Sequence, residues 1–207
     1  MRILCIGDSN TFGYDPHSCF GSRYPAEIRW TDKLEDYDVI NCGMNGLEIP
    51  KDSRLFTDLI RRKSPDLVIV MLGSNDLLEG ADAETTGRRM ELFLAALQEA
   101  EAKVFLIAPP VMQEGEWVQS AKLIEESGKL RARYRELAER ADIPFADASE
   151  WTVTLTFDGV HFSSEGHTAF AAGLAERLRK IQAEKTWYDS LPHSNNCRDC
   201  PKKSVIY

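Results

Sequence analysis

Four histidines, His17, His161, His167 and His193, are the candidate bases near neutral pH, and one stands three residues after an aspartate in Asp158-Gly159-Val160-His161-Phe162. That spacing lets both side chains emerge on one side of a short turn, so the carboxylate could take the Nδ1 proton and leave Nε2 free for another. Such a base needs a hydroxyl. Ser9, in Gly7-Asp8-Ser9-Asn10, follows an apolar run and precedes a segment able to start a helix or loop. Its hydroxyl would then lie at a strand end, with backbone N–H groups around it. Attack on an acyl carbon would build charge on oxygen, and three donors could meet it: the N–H of Ser9, the N–H of Gly43 and the side-chain amide of Asn75. Each residue also has a plainer reading, Ser9 as a cap or turn former, His161 beside a local Asp cap, Gly43 and Asn75 as turn residues. Taken singly, they leave both readings open.

These groups need elements to bring them together. Short apolar runs alternate with longer segments of helical period, the signature of parallel βαβ units. Five strands are expected over Arg2–Ile6, Tyr37–Asn41, Leu67–Leu72, Lys103–Ile107 and Pro144–Ala146. Five helices are expected over Ala26–Leu34, Lys51–Arg62, Glu84–Ala102, Trp117–Ala141 and Ser164–Glu184; Met90, Phe93, Leu94 and Leu97 form one face of the third. The pattern predicts an α/β fold, a three-layer α/β/α sandwich on a flavodoxin-like parallel sheet. In such sheets ligands bind beyond the carboxyl ends of the strands. Ser9, Gly43 and Asn75 follow the first three strands directly, and Asp158 and His161 lie between the fifth strand and the last helix.

Composition removes several other classes. A chain of 207 residues with 43% hydrophobic and 28% charged residues suits one globular domain with a substantial core. The longest apolar run, Leu67–Leu72, falls far short of the roughly 20 residues a membrane span needs. Lys and Arg total 25 against 33 Asp and Glu, a net charge of −8 that argues against a nucleic-acid partner. No phosphate loop and no dinucleotide fingerprint is present, which leaves a domain that only holds a small anion without support from a motif. The apolar N-terminus is too short for a secretory core, and the five cysteines are an odd number, two of them in strand-like segments. A cytoplasmic protein is the expectation.

The joint pattern is more specific than its parts. Gly7-Asp8-Ser9, Gly43 in Asn41-Cys42-Gly43, Gly73-Ser74-Asn75-Asp76 and Asp158-Gly159-Val160-His161 resemble, in order, the four motif blocks of the SGNH hydrolase superfamily, the GDSL-type esterases. The resemblance covers about residues 1–182. Asn10 stands where leucine is commoner. Ser9 to Tyr14, followed by Arg23-Tyr24-Pro25 and Arg29-Trp30-Thr31, looks like the branch of arylesterases and of acetyl-esterases or acyltransferases. The resemblance implies Ser9 as nucleophile, His161 as general base and then acid, Asp158 as its orienting partner, and an oxyanion hole from Ser9, Gly43 and Asn75. It implies no cofactor.

The expected activity is hydrolysis of carboxylic esters with short acyl groups, since Asn10, Phe12, Tyr14, Met44 and Phe162 flank the motif residues and no long apolar lid is present. Phe12, Tyr14 and Phe162 could equally be core aromatics. Two alternatives remain at this point: transfer of the acyl group to an alcohol or sugar at the same site, and a non-enzymatic domain that binds a small anion. Residues 1–184 are read as the catalytic domain and 185–207 as a tail that packs along its own body or a neighbouring copy, with Trp187 and Tyr188 as anchors. Cys197-x-x-Cys200 with His193 gives three ligands where structural zinc takes four, so no metal is expected.

Overall fold

The computed structural model describes residues 1–18 and 22–190. The expectations for His193, Cys197, Cys200 and the side chains of Trp187 and Tyr188 lie outside the described residues. Five parallel strands, β1 (Arg2–Gly7), β2 (Asp38–Gly43), β3 (Leu67–Met71), β4 (Val104–Ala108) and β5 (Phe145–Asp147), form one sheet in the order β2-β1-β3-β4-β5. This is the flavodoxin-like order, with its switch point between β1 and β3. The central strands β3 and β4 are buried along their whole length, which explains why they read as unbroken apolar runs rather than alternating ones.

Strand alternation sends successive side chains to opposite layers. Leu4, Ile6, Val68, Val70 and Leu106 pack beneath α2 (Arg54–Lys63), α4 (Ala83–Glu99) and α5 (Ala121–Ala141), against Phe56, Phe93 and Tyr134. Ile3, Cys5, Ile69, Met71 and Phe105 face the other way, toward Trp30 and the Phe170, Leu174 and Leu178 stripe of α6 (Ser164–Ser190). Two single-turn helices, α1 (Ser9–Phe12) and α3 (Ser74–Leu78), begin just beyond β1 and β3. Both are too short to show a helical period in sequence.

Three element expectations change. No helix forms over residues 26–34, which run as successive turns. There the Trp30 indole donates to the Asn10 carbonyl at 2.9 Å, and the Arg29 side chain turns back onto the Tyr24 carbonyl, so tertiary anchors take the place of a helical ladder. The helix expected from Trp117 starts only at Ala121, because residues 113–117 are held against the segment before His161. The last helix continues past Glu184 to Ser190. Residues 185–190 hold neither Gly nor Pro, and the first helix-incompatible residue is Pro192. No helix among the described residues is long and apolar enough to cross a membrane.

Candidate functional site

Ser9 is the first residue of α1, where the backbone N–H groups have no intrahelical partner. The Asp8 side chain caps this turn by accepting from the Asn10 N–H at 2.9 Å, and the Ser9 N–H is left without a hydrogen bond among the described residues. Burial pushes the Asp8 carboxyl up to about 6, against the opposing effects of the Asn10 N–H and the nearby His161. A carboxyl without a cation beside it behaves this way when dehydrated.

His161 arrives from 152 residues further along the chain. Residues 154–163 double back on themselves, with the Thr156 N–H on the His161 carbonyl at 2.7 Å and the Ser163 N–H on the Thr154 carbonyl at 3.0 Å. The reversal passes through Gly159 at φ +83°. There a Cβ would stand 2.1 Å from the Gln113 carbonyl oxygen, so both the conformation and the space require glycine.

At the end of this segment His161 Nε2 lies 2.9 Å from Ser9 Oγ, and His161 Nδ1 lies 2.7 Å from Asp158 Oδ2. Asp158 Oδ1 accepts the backbone N–H groups of Val160 at 2.8 Å and His161 at 2.9 Å. Burial alone would raise the Asp158 carboxyl, but the His161 ring and these two N–H groups outweigh it and hold the group at about 2. An ionised carboxylate can only accept, so Nδ1 carries the proton and Nε2 is the acceptor facing the serine hydroxyl. All three side chains are buried, with Ser9 the most open at 6% exposure. The sequence separates these groups widely, and the fold aligns them into one hydrogen-bonded line.

The expected oxyanion donors fare differently. Asn75 stands in the first turn of α3 and gives one amide hydrogen to the Leu47 carbonyl at 3.1 Å, which leaves its second hydrogen for a ligand. Buried Asp76 ties the same region together by accepting from the Ile49 N–H at 2.9 Å and from Arg89 at 2.7 Å. Gly43 requires a correction: it is the last residue of β2, and its N–H already donates to Asn41 Oδ1 at 2.9 Å. It is glycine because β2 lies directly against α1, where a Cβ would stand 2.1 Å from the Phe12 nitrogen. Gly46, in the turn beyond β2, has an N–H that donates to nothing among the described residues. It adjoins Leu47, whose carbonyl holds Asn75. Sequence reading missed it by taking the first glycine after the apolar run as the one past the strand.

The expected pocket residues also divide. Tyr14 lies beside the imidazole, ring centroids 4.7 Å apart, and Met44 is 38% exposed. Phe12 is half-buried under the Arg23 guanidinium, 4.5 Å from the ring centre. Phe162 is fully buried against Phe170 and His167, so it belongs to the core rather than the pocket. Asn10 is buried too, and both ends of its amide are bonded to the backbone of Val160 and Phe162, so it faces no substrate. Trp117, half-exposed and edge-on to His161 with centroids 4.9 Å apart, is a site residue that the helical reading of its segment concealed. His167 is buried away from solvent, and burial lowers it to about 4, so it stays neutral and structural.

A doubly wound α/β domain that presents a hydrogen-bonded serine, histidine and aspartate beyond the carboxyl ends of its strands defines an SGNH-type hydrolase. The chain belongs to the GDSL-like Lipase/Acylhydrolase family, whose pattern matches residues 5–169, and it is an ester hydrolase. It is 25% identical over 114 residues to an arylesterase of Vibrio mimicus, an alignment spanning 51% of this chain and 53% of that protein. It is 24% identical over 186 residues to thioesterase 1/protease 1/lysophospholipase L1 of Escherichia coli strain K12, covering 86% and 84% of the two chains. Among solved structures, the aryl esterase of M. smegmatis superposes with a TM-score of 0.76 at 26% identity, covering 86% of this chain and 98% of that one. Est24, a carbohydrate acetylesterase of Sinorhizobium meliloti, gives 0.77 at 25% identity, with 87% and 99% covered. Family membership displaces the non-enzymatic alternative.

Proposed function

We propose that this hydrolase acts through an acyl-enzyme on Ser9 and prefers esters of short acyl groups. The observation that carries the reading is the 2.9 Å approach of Ser9 Oγ to His161 Nε2, backed by the 2.7 Å contact of Nδ1 with Asp158. In the first half-reaction, Ser9 Oγ attacks the ester carbonyl and its proton passes to Nε2. The resulting imidazolium is stabilised by Asp158. Negative charge on the carbonyl oxygen meets the unengaged N–H of Ser9, the free amide hydrogen of Asn75 and the N–H of Gly46. His161 then protonates the departing alkoxide, which leaves as the alcohol. In the second half, His161 takes a proton from water, the hydroxide attacks the acyl carbon, and Ser9 Oγ departs with that proton returned to it.

Short acyl groups are favoured by the crowding of Tyr14 and Trp117 around the imidazole. The arylesterase and acetylesterase relatives agree with such substrates. Acetyl and octanoyl nitrophenyl esters, compared with wild type and Ser9→Ala, test both parts. The expectation is faster acetyl turnover and a loss of several orders of magnitude in the variant. Faster octanoyl turnover would refute the short-chain preference, and an active Ser9→Ala would refute the acyl-enzyme.

A further inference from the structure

We propose that Asn10 is a positioning residue that sets where the His161 imidazole stands relative to Ser9, an inference that rests on the esterase reading. Its amide bridges the two residues that flank His161. Asn10 Oδ1 accepts the Phe162 N–H at 2.8 Å and Asn10 Nδ2 donates to the Val160 carbonyl at 3.1 Å. The orientation of the amide is fixed, since an N–H needs an acceptor on one side and a carbonyl needs a donor on the other. Asn10 follows Ser9 directly in α1, so one rigid turn carries the hydroxyl and also grips the backbone on either side of its base.

The grip is itself anchored. The Asn10 N–H donates to Asp8 at 2.9 Å, and its carbonyl accepts the Trp30 indole at 2.9 Å. Trp30 and Phe162 both pack on Phe170, which ties the clamp into the apolar layer under α6. The other bonds of the 154–163 segment run within the segment, to residues 113–117, or from the Gly166 and His167 N–H groups of α6 to Ser163 at its far end. Among the described hydrogen bonds, the Ser9–His161 contact and the two Asn10 amide bonds join this segment to α1. A proton passed between Ser9 and His161 strains neither amide bond, so the clamp can persist through each step. A leucine here could fill the volume but would leave both backbone groups unmet.

The test uses Asn10→Leu and Asn10→Asp in the full chain, with wild type and Ser9→Ala alongside. Readouts are nitrophenyl acetate hydrolysis, thermal unfolding and the far-downfield proton resonance of His161 Nδ1–H bonded to Asp158. Asn10→Leu should lose about 10- to 100-fold in kcat, the scale of a small misplacement, with KM within about twofold and the resonance broadened or lost. Asn10→Asp keeps the acceptor for Phe162 and loses the donor to Val160. Its kcat should fall between the two and recover relative to wild type as acid protonates the new carboxyl and restores a donor. A kcat within about twofold of wild type with an unchanged resonance overturns the proposal. So does a loss confined to KM, or one that only tracks the folded fraction. If Asn10→Leu does not fold, Asn10→Asp decides by the same readouts. An inactive wild type or an active Ser9→Ala defeats the esterase reading instead, and the resonance still reports whether Asn10 holds the imidazole.

Discussion

Trp117 stands edge-on to His161, ring centroids 4.9 Å apart at 82°, although 44 residues separate them in the chain. Its loop is strapped to the segment before the histidine by the Gln113, Glu116 and Trp117 N–H groups, which donate to the carbonyls of Gly159, Phe157 and Asp158 at 3.0 to 3.1 Å. The indole is half-exposed next to a buried base, the position from which a substrate ring could be held. Trp117→Ala is expected to raise KM for an aryl acetate by about fivefold, the equivalent of about 1 kcal/mol of aromatic contact. Ethyl acetate should change less. Equal losses for the two esters would place the effect on the imidazole rather than on the leaving group.

Asp158 is held at about 2 because hydrogen bonds from His161 and Val160 outweigh the burial that would raise it. A lowered carboxyl contributes stability above its unfolded value near 3.9, and that contribution is lost as pH falls toward 2. Asp158 therefore stays charged wherever the enzyme works and does not set the acid limb of its pH–rate profile. Asp158→Asn should keep the fold and reduce kcat by about 10³- to 10⁴-fold, since an amide hydrogen beside Nδ1 favours the wrong tautomer. A profile whose acid limb moves without this loss would contradict the assignment.

Asp8 behaves in the opposite sense. Burial lifts it from the ordinary 3.8 to about 6, so between those two values folding takes up a proton there. The stabilising contribution of the protonated form is complete below about pH 4 and is lost as pH rises through 6. Above that, the buried carboxylate costs about 3 kcal/mol. Asn also serves as a helix cap and cannot ionise. Asp8→Asn should gain up to that amount in urea unfolding at pH 8, with little change at pH 4. Its kcat should fall, because the variant removes a negative charge near the imidazolium that forms as Ser9 attacks. Equal stability changes at both pH values would show that packing, not ionisation, dominates.

How far the sequence revealed the site follows from which signals are local. Strands β1, β3 and β4 were legible because buried parallel strands are apolar almost throughout, and Ser9 and His161 were legible because each sits in a compact motif at a strand end or just before a helix. Gly43 misled because a glycine that admits a neighbouring backbone looks the same in sequence as one that exposes its N–H. Its partner Asn41 is plain only once β2 has a conformation. Asn10 misled for a related reason: a polar residue beside a nucleophile reads as pocket until its two partners, 150 and 152 residues away, are in place. Trp117 was hidden by helical periodicity that in fact begins only at Ala121. What escaped was long-range backbone pairing, which leaves no periodic trace.

Two left-handed glycines flank the site and separate strain from close approach. Gly46 has φ +71° with nothing within 4 Å of a Cβ, while Gly159 has φ +83° with the Gln113 carbonyl oxygen at 2.1 Å. Gly46→Ala should therefore cost only the left-handed conformation, about 1 kcal/mol. Gly159→Ala adds a collision with backbone that cannot swing aside as a flexible side chain would. It must push the 113–117 strap off the turn that carries Asp158, so unfolding should show a loss of more than about 3 kcal/mol. Because the strap carries Trp117, fluorescence of that indole should shift toward the fully hydrated form in Gly159→Ala and stay unchanged in Gly46→Ala. Similar stability losses in the two variants would mean that the contact with Gln113 relaxes without cost, and that Trp117 is held by something other than this pair of packed backbones.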